Sequence, residues 1–263
     1  MERIAVVTDT GSNLSFAQAK ELGIYLLPLQ ITIDETTYQD TLEISTQDIY
    51  NELANGKMPK TSMAAYQKIY DLFEELKKDY DTIFAVPLTN GLSTNASTMQ
   101  SIARELEMNV HVIDMYATCA LEKHVAIWIK RLVDEHKSSE EILKIIQPAI
   151  DESNSLILVK NLQHLKRGGR LTPMAAALAG LLKIYPVLHI NKSTEGRIDV
   201  LNKVRTEKRA DAYAIDKIMD DIDIQHTHIY IIHSNFLEGA DHFKKCFIEK
   251  GVPEQNIHID YIS

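Results

Sequence analysis

Three short segments rich in serine and threonine contain the residues of this chain that are best suited to chemistry. They are residues 8–12 (TDTGS), 61–62 (TS) and 92–95 (LSTN). The first and third follow apolar runs that predict buried strands, and each segment lies where a predicted helix begins. Because a helix N-terminus presents free backbone N–H groups and a partial positive charge, and hydroxyls add further donors, this pattern favours an anion-binding site.

The kind of anion is limited by the charges nearby. None of the three segments contains lysine or arginine, which a polyphosphate would normally require, so the donors suit a singly charged group such as a carboxylate. Thr10, Ser93 and Thr94 are expected at the carboxyl ends of parallel strands, where open sheets bind ligands. Two simpler interpretations stay open: the hydroxyls only cap helices, or they bind a small carboxylate or a phosphosugar.

Other catalytic and metal-binding motifs have less support. Neither the glycine-rich dinucleotide motif nor the Walker A sequence occurs. Residues 91–95 (GLSTN) differ by one residue from the G-x-S-x-G nucleophile elbow, so a serine hydrolase that uses Ser93 and a distant histidine is an alternative. His226 and His228 lack a suitably spaced further ligand, and we expect no metal site. His233, at the end of a predicted strand, is the histidine best placed to approach a ligand.

Two basic segments interrupt an otherwise acidic chain. Residues 166–170 (KRGGR) combine paired glycines with cations, and a turn of this kind, ending in Arg170, is suited to face an anion. A second cluster includes Arg205 and three other cations, Lys203, Lys208 and Arg209. This cluster is either a solvated face or a docking surface for an acidic partner.

The elements that must position these residues alternate between strand and helix. Apolar runs at residues 4–7, 82–86 and 110–113 predict strands. Capping boxes predict helices that begin after Ser15 and Ser138, and Ser45 opens another. This β-α-β-α order predicts a mostly parallel sheet with helices on both faces.

Two α/β domains are predicted. Residues 1–152 form an N-terminal Rossmann-like domain, and residues 153–263 form a C-terminal domain. Residues 191–196 (NKSTEG) lie between two apolar runs and predict a hairpin loop. The hairpin makes the sheet of the C-terminal domain mixed.

Composition excludes several classes of protein. The chain has 263 residues, of which 45% are hydrophobic, and a formal net charge of −9. An acidic chain repels the phosphate backbone, so we expect no nucleic-acid partner. No apolar run approaches the roughly twenty residues of a membrane span, so we expect no integral membrane segment. Two distant cysteines fit a reducing compartment, and together these features predict a cytoplasmic protein.

Six segments, in order along nearly the whole chain, resemble sequence motifs of the bacterial DegV family. They are residues 4–10 (IAVVTDT), 24–40, 59–62 (PKTS), 92–94 (LST), 165–171 (LKRGGRL) and 203–205 (KVR). Any one of these motifs is short, but six in the same order are specific.

The resemblance implies a two-domain α/β protein that holds one long-chain fatty acid between its domains. It implies that Thr61, Ser62 and Ser93 grip the carboxylate, with Thr94 nearby, and that the chain has no cofactor and no catalytic residue of its own. Kinase-coupled members present the carboxylate to a separate ATP-binding kinase subunit, which makes an acyl phosphate for phospholipid synthesis. On this basis we expect four further residues to support the site or to dock that partner: Thr10, Arg170, Arg205 and His233.

The chain departs from the family pattern at three places. Residues 63–65 (MAA) replace the end of the family's TSQPS motif, and Thr94 stands where LSGT has glycine. Members usually end with a strand and a His-x-Gly-Pro-Gly loop, whose histidine reaches the carboxylate. This sequence ends at Ser263, before that loop, so it is either truncated or lacks the histidine.

Overall fold

The computed structural model describes residues 2–262 and has an α/β architecture, as predicted. Twelve strands are described: β1 (Ile4–Asp9), β2 (Tyr25–Leu27), β3 (Gln30–Ile33), β4 (Thr36–Gln39), β5 (Lys60–Ser62), β6 (Thr82–Val86), β7 (Asn109–Val112), β8 (Asn154–Leu158), β9 (Tyr185–Asn191), β10 (Asp199–Val204), β11 (Ile229–His233) and β12 (Ile257–Tyr261). Ten α-helices are described: α1 (Phe16–Leu22), α2 (Thr46–Ala54), α3 (Tyr66–Leu76), α4 (Asn95–Glu105), α5 (Ala120–Asp134), α6 (Ser139–Glu152), α7 (Leu162–Arg167), α8 (Pro173–Leu178), α9 (Glu207–Asp221) and α10 (Leu237–Glu249).

Contacts divide the described chain into two compact units. The first contains residues 2–153 and 191–196, and the second contains residues 154–190 and 197–262. The predicted boundary between residues 152 and 153 lies one residue from the first change of unit. Residues 191–196, the predicted hairpin loop between β9 and β10, are grouped with the first unit rather than with the strands that they connect.

A four-stranded parallel sheet organises the first unit, in the order β2-β1-β6-β7. Successive strand residues point to opposite faces, and both faces are buried. Phe84 and Val86 pack with α5 and α6, whereas Ile83 and Ala85 pack with α3 and α4. The predicted parallel sheet with helices on both faces is therefore confirmed for this unit.

Local sequence signals fix the starts of several helices. Ser15, Ser45 and Ser138 each form a capping box with the residue three positions later. In each box the serine side chain accepts a hydrogen bond from a backbone N–H that the helix leaves unpaired. Gly23 ends α1 with a φ of 68°, in the left-handed region that glycine adopts readily.

A small antiparallel sheet, β4-β3-β5, also belongs to the first unit. Its apolar side chains, Ile31 and Ile33, pack with Ile44. In β5, Thr61 is paired with Ile31 and Ser62 with Gln30. This sheet therefore sets the position of one of the three hydroxyl segments.

The second unit contains two small sheets. One has the order β10-β9-β8, with β9 and β10 antiparallel as the hairpin prediction requires, and α9 packs against it. The other pairs β11 and β12 in parallel beside α10. Within residues 2–262, no helix is both long and apolar enough to cross a bilayer.

Candidate functional site

Ser93 and Thr94 lie directly before α4, at the end of the loop that follows β6. The Ser93 side chain is half-buried, and its Oγ accepts a hydrogen bond from the backbone N of Asn95 at 3.2 Å. Thr94 is exposed, and its side chain makes no capping hydrogen bond to the helix. The two hydroxyls therefore lie at the N-terminus of an eleven-residue helix, where an anion is favoured.

The predicted position of Thr61 and Ser62 at the start of a helix is wrong. Both lie in strand β5, and α3 begins only at Tyr66, after Ala65, which has no side chain able to cap it. The physical reason is strand pairing, since residues 60–62 hydrogen-bond to β3. Both side chains are exposed, and the Ser62 hydroxyl donates to Gln30 Oε1 at 3.3 Å.

Met63 brings the strand segment and the helix segment together. The Thr94 and Thr98 hydroxyls each donate to Met63 Sδ at 3.3 Å. Because Met63 directly follows Ser62, the end of β5 lies beside the first turns of α4. The structure thus groups Thr61, Ser62, Ser93 and Thr94 in one region of the first unit.

Thr10 has a supporting position behind this region. It is fully buried, and its Oγ accepts a hydrogen bond from the backbone N of Leu29 at 3.1 Å. The hydroxyl also hydrogen-bonds the buried carboxyl group of Asp40, whose pKa is raised by burial. Thr10 therefore holds the chain that enters β3, the strand that pairs with β5.

Asp9 is a buried residue of this region that the sequence reasoning missed. Its carboxylate accepts hydrogen bonds from Gly11 N at 2.8 Å, Leu88 N at 2.9 Å and Asn95 Nδ2 at 2.6 Å. Burial raises the pKa of Asp9, and the three donors partly offset that effect. Asp9 thereby joins the turn after β1, the loop after β6 and the first residue of α4.

Glu122 is a second buried carboxyl group, in the first turn of α5. Burial, and next the negative charge of Asp9, raise the pKa of Glu122 well above its ordinary value. Thr8 Oγ1 donates to Glu122 Oε1 at 3.2 Å, and the Glu122 carboxyl group also hydrogen-bonds the side chain of Asp9. A protonated Glu122 can donate to Asp9, so the two carboxyl groups are compatible at close range.

The backbone around Ser93 does not form a nucleophile elbow. That motif places serine in a sharp turn directly between a strand and a helix. Here β6 ends at Val86, so residues 87–92 separate the strand from Ser93. This geometry does not favour the serine hydrolase alternative.

The other three predicted residues lie in the second unit. Arg170 follows the Gly168–Gly169 turn, and its guanidinium donates to the Gly168 carbonyl oxygen. Arg205 is exposed between β10 and α9. His233 ends β11, where its Nδ1 accepts a hydrogen bond from Phe236 N at 3.2 Å and its ring contacts Tyr261 edge-on.

Among residues 2–262, no group of three or more His, Cys, Asp or Glu side chains is arranged to hold a metal ion. His228 Nδ1 and His258 Nε2 lie 2.8 Å apart, within hydrogen-bond distance of each other.

Gly196, the last residue of the loop 191–196, packs against Thr89 in the loop that follows β6. Its φ is +72°, and a Cβ added there would lie 2.0 Å from Thr89 Oγ1. We expect Gly196→Ala to lower the free energy of unfolding by about 2–3 kcal/mol, from left-handed strain and overpacking together. Urea unfolding is the measurement.

Gly56→Ala is the matched control for this substitution. Gly56 also has positive φ, +84°, but nothing lies within 4 Å of an added Cβ. Its cost should therefore be the strain alone, about 1 kcal/mol. Equal losses in the two variants would show that the Thr89 contact is unimportant.

Comparison with known proteins identifies the family. The family model described as "Uncharacterised protein, DegV family" matches residues 3–263. The chain belongs to the DegV family. A DegV domain-containing protein from Caldanaerobacter subterraneus subsp. tengcongensis is 32% identical over 240 residues, which cover 89% of this chain and 84% of the relative. Another from Halalkalibacterium halodurans is 32% identical over 247 residues and covers 92% of this chain and 86% of the relative.

Solved DegV structures share the fold of the whole chain. A fatty acid binding DegV family protein from Streptococcus agalactiae superposes with a TM-score of 0.91 at 28% identity, covering 100% of this chain and 93% of that one. DegV from Bacillus subtilis, a fatty acid binding protein, superposes with a TM-score of 0.85 at 25% identity, with 100% and 93% covered. The family resemblance of the six sequence motifs is therefore confirmed.

Proposed function

We propose that this DegV protein binds one long-chain fatty acid and carries it, with the carboxylate held by Thr61, Ser62, Ser93 and Thr94. The observation that supports this most directly is the meeting of two hydroxyl segments beside the α4 N-terminus through Met63. Family membership and the two fatty acid binding relatives at 25% identity or more support the choice of ligand.

The affinity of such a site comes mainly from the acyl chain. Burying each methylene contributes about 0.8 kcal/mol before the costs of association. The hydroxyls contribute orientation, because a buried carboxylate without donors would be strongly unfavourable. The protein thus holds the head group in one place and takes most of its binding energy from the tail.

We further propose that the bound acid is presented to a separate ATP-dependent kinase subunit, which forms the acyl phosphate. The chain would then act as a substrate carrier without its own catalytic residue. Three exposed or half-buried groups in the second unit, Arg170, Arg205 and His233, are the proposed contacts with that subunit. The test is ATP-dependent acyl phosphate formation that requires both proteins and falls when Arg205 is replaced by alanine.

Ser93→Ala tests the head-group site. We expect oleate to bind about 10- to 100-fold more weakly, since a hydrogen bond to a charged group contributes about 1.5–3 kcal/mol. Isothermal titration with oleate measures the change. Ser101→Ala is the control, because Ser101 is an exposed residue of the same helix and should leave affinity unchanged.

Two results would contradict the proposal in different ways. Unaltered oleate affinity in Ser93→Ala would place the carboxylate elsewhere. A wild-type protein that takes up neither oleate nor palmitate would exclude fatty acid binding and favour a shorter carboxylate or a phosphosugar.

A further inference from the structure

A chain of polar contacts leads from Asp9, at the carboxyl end of β1, to the Ser93 hydroxyl. The side chain of Asn95 donates from Nδ2 to Asp9 Oδ2 at 2.6 Å, and the backbone N of the same residue donates to Ser93 Oγ at 3.2 Å. Asp9 is itself held by the backbone N–H groups of Gly11 and Leu88. Ser93 is therefore oriented from behind by groups that are fixed to β1 and to the loop after β6.

The direction of these bonds determines what Ser93 can offer a ligand. A serine hydroxyl has one proton and two lone pairs. The Asn95 N–H occupies a lone pair of Ser93 Oγ, which leaves the proton to be directed away from the backbone. A hydroxyl held in this way is prepared to donate to an ionised carboxylate.

The burial of Asn95 is hard to explain by stability alone. Its side chain is fully buried, and Oδ1 has no hydrogen-bond partner among the described residues. An unpaired buried acceptor carries a desolvation cost. The amide nevertheless makes its short bond to a carboxylate, a type of bond stronger than one between neutral groups. The arrangement fixes the start of α4 through Asn95 Nδ2, while Asn95 Oδ1 is left without a hydrogen bond from the described residues.

We infer that Asp9 and Asn95 are positioning residues, which orient the Ser93 hydroxyl so that the site prefers an ionised carboxylate over a neutral head group. The inference rests on the proposed function, because it concerns the same head-group site. Neither residue contacts the ligand in this scheme. Asn95 acts through Ser93, and Asp9 acts through Asn95.

A double-mutant cycle with two ligands tests this chain. Oleate and oleyl alcohol are titrated into wild type, Ser93→Ala, Asn95→Ala and the double variant. We expect Asn95→Ala to weaken oleate binding about tenfold and to change oleyl alcohol binding less than twofold. The double variant should bind oleate no more than twofold worse than Ser93→Ala, because a residue that acts through Ser93 has no effect once the hydroxyl is gone.

Controls separate positioning from general loss of structure. Gln100→Ala alters an exposed residue of the same helix and should change neither affinity. Asp9→Asn keeps the shape of the side chain while removing its charge, and it should shift oleate affinity in the same direction as Asn95→Ala. It replaces Asn95→Ala in the cycle if that variant loses its folded circular dichroism spectrum.

The outcomes distinguish the inference from the proposed function. Independent, additive losses in the double variant, or equal losses for acid and alcohol, would overturn the positioning role while leaving fatty acid binding intact. Failure of the wild-type protein to bind oleate would overturn both.

Discussion

Asp9→Ala is expected to lower the free energy of unfolding by about 3–5 kcal/mol. The substitution leaves the buried donor Asn95 Nδ2 and the partly buried donors Gly11 N and Leu88 N without the carboxylate that they now share. It also removes the acceptor beside the buried Glu122 carboxyl. Equilibrium unfolding in urea, followed by circular dichroism, measures the loss.

Asp81→Ala is the matched control for Asp9. Asp81 also accepts several hydrogen bonds, from the backbone and guanidinium of Arg3, but both side chains are largely exposed. Water replaces those donors when the carboxylate is removed, so stability should change little. A loss in Asp9→Ala no larger than in Asp81→Ala would mean that the three donors to Asp9 find other partners.

The parallel sheet was predictable because its information is local. The continuous apolar run from Ile4 to Val7 is typical of a strand buried on both faces. Capping boxes at Ser15 and Ser138 depend on residues only three positions apart. Such signals lie within a few residues and need no knowledge of the rest of the chain.

The strand that contains Thr61 and Ser62 was not predictable by the same means. It has three exposed residues, so it shows no hydrophobic period, and it exists through pairing with β3, about thirty positions earlier in the sequence. Its neighbour Ala64, followed by a helical pattern, favoured a helix start instead. Short strands of this kind are decided by tertiary contacts.

The buried polar residues show a similar limit. An asparagine or a glutamate in a first helical turn is usually a solvated group near the helix dipole, so nothing local distinguishes Asn95 or Glu122. Asp9 did carry a signal, since it is the last residue of a buried strand, at the carboxyl end of the sheet where ligands bind. The hydroxyls of the site were visible in the sequence, whereas the burial of Asn95 and Glu122 was not.

Glu122→Gln is expected to stabilise the protein increasingly as the pH rises above the ordinary pKa of glutamate. In the folded protein, burial and Asp9 raise the pKa of Glu122, so the native state keeps a proton that the unfolded chain releases. Stability contributed by this proton is present at low pH and is lost by about 1.4 kcal/mol per pH unit until the folded pKa is reached. Glutamine keeps the volume and the donor but cannot ionise.

Urea unfolding of wild type and Glu122→Gln at several pH values between 5 and 8 measures the effect. The difference in unfolding free energy should be smallest at pH 5 and should grow with pH in favour of the variant. Because both proteins share every other titratable group, their common pH dependence cancels in the difference.

Glu254→Gln provides a control of opposite sign. The hydrogen bond from Lys244 lowers the pKa of Glu254, so its ionised form favours the folded state, and its removal should cost stability at neutral pH. The exposure of this pair makes that cost small.

A difference between wild type and Glu122→Gln that stays constant from pH 5 to 8 would show that Glu122 is ionised in the fold. Asp9 would then face a second negative charge. The hydrogen bonds that link Asp9 through Asn95 to Ser93 would need another source of stability.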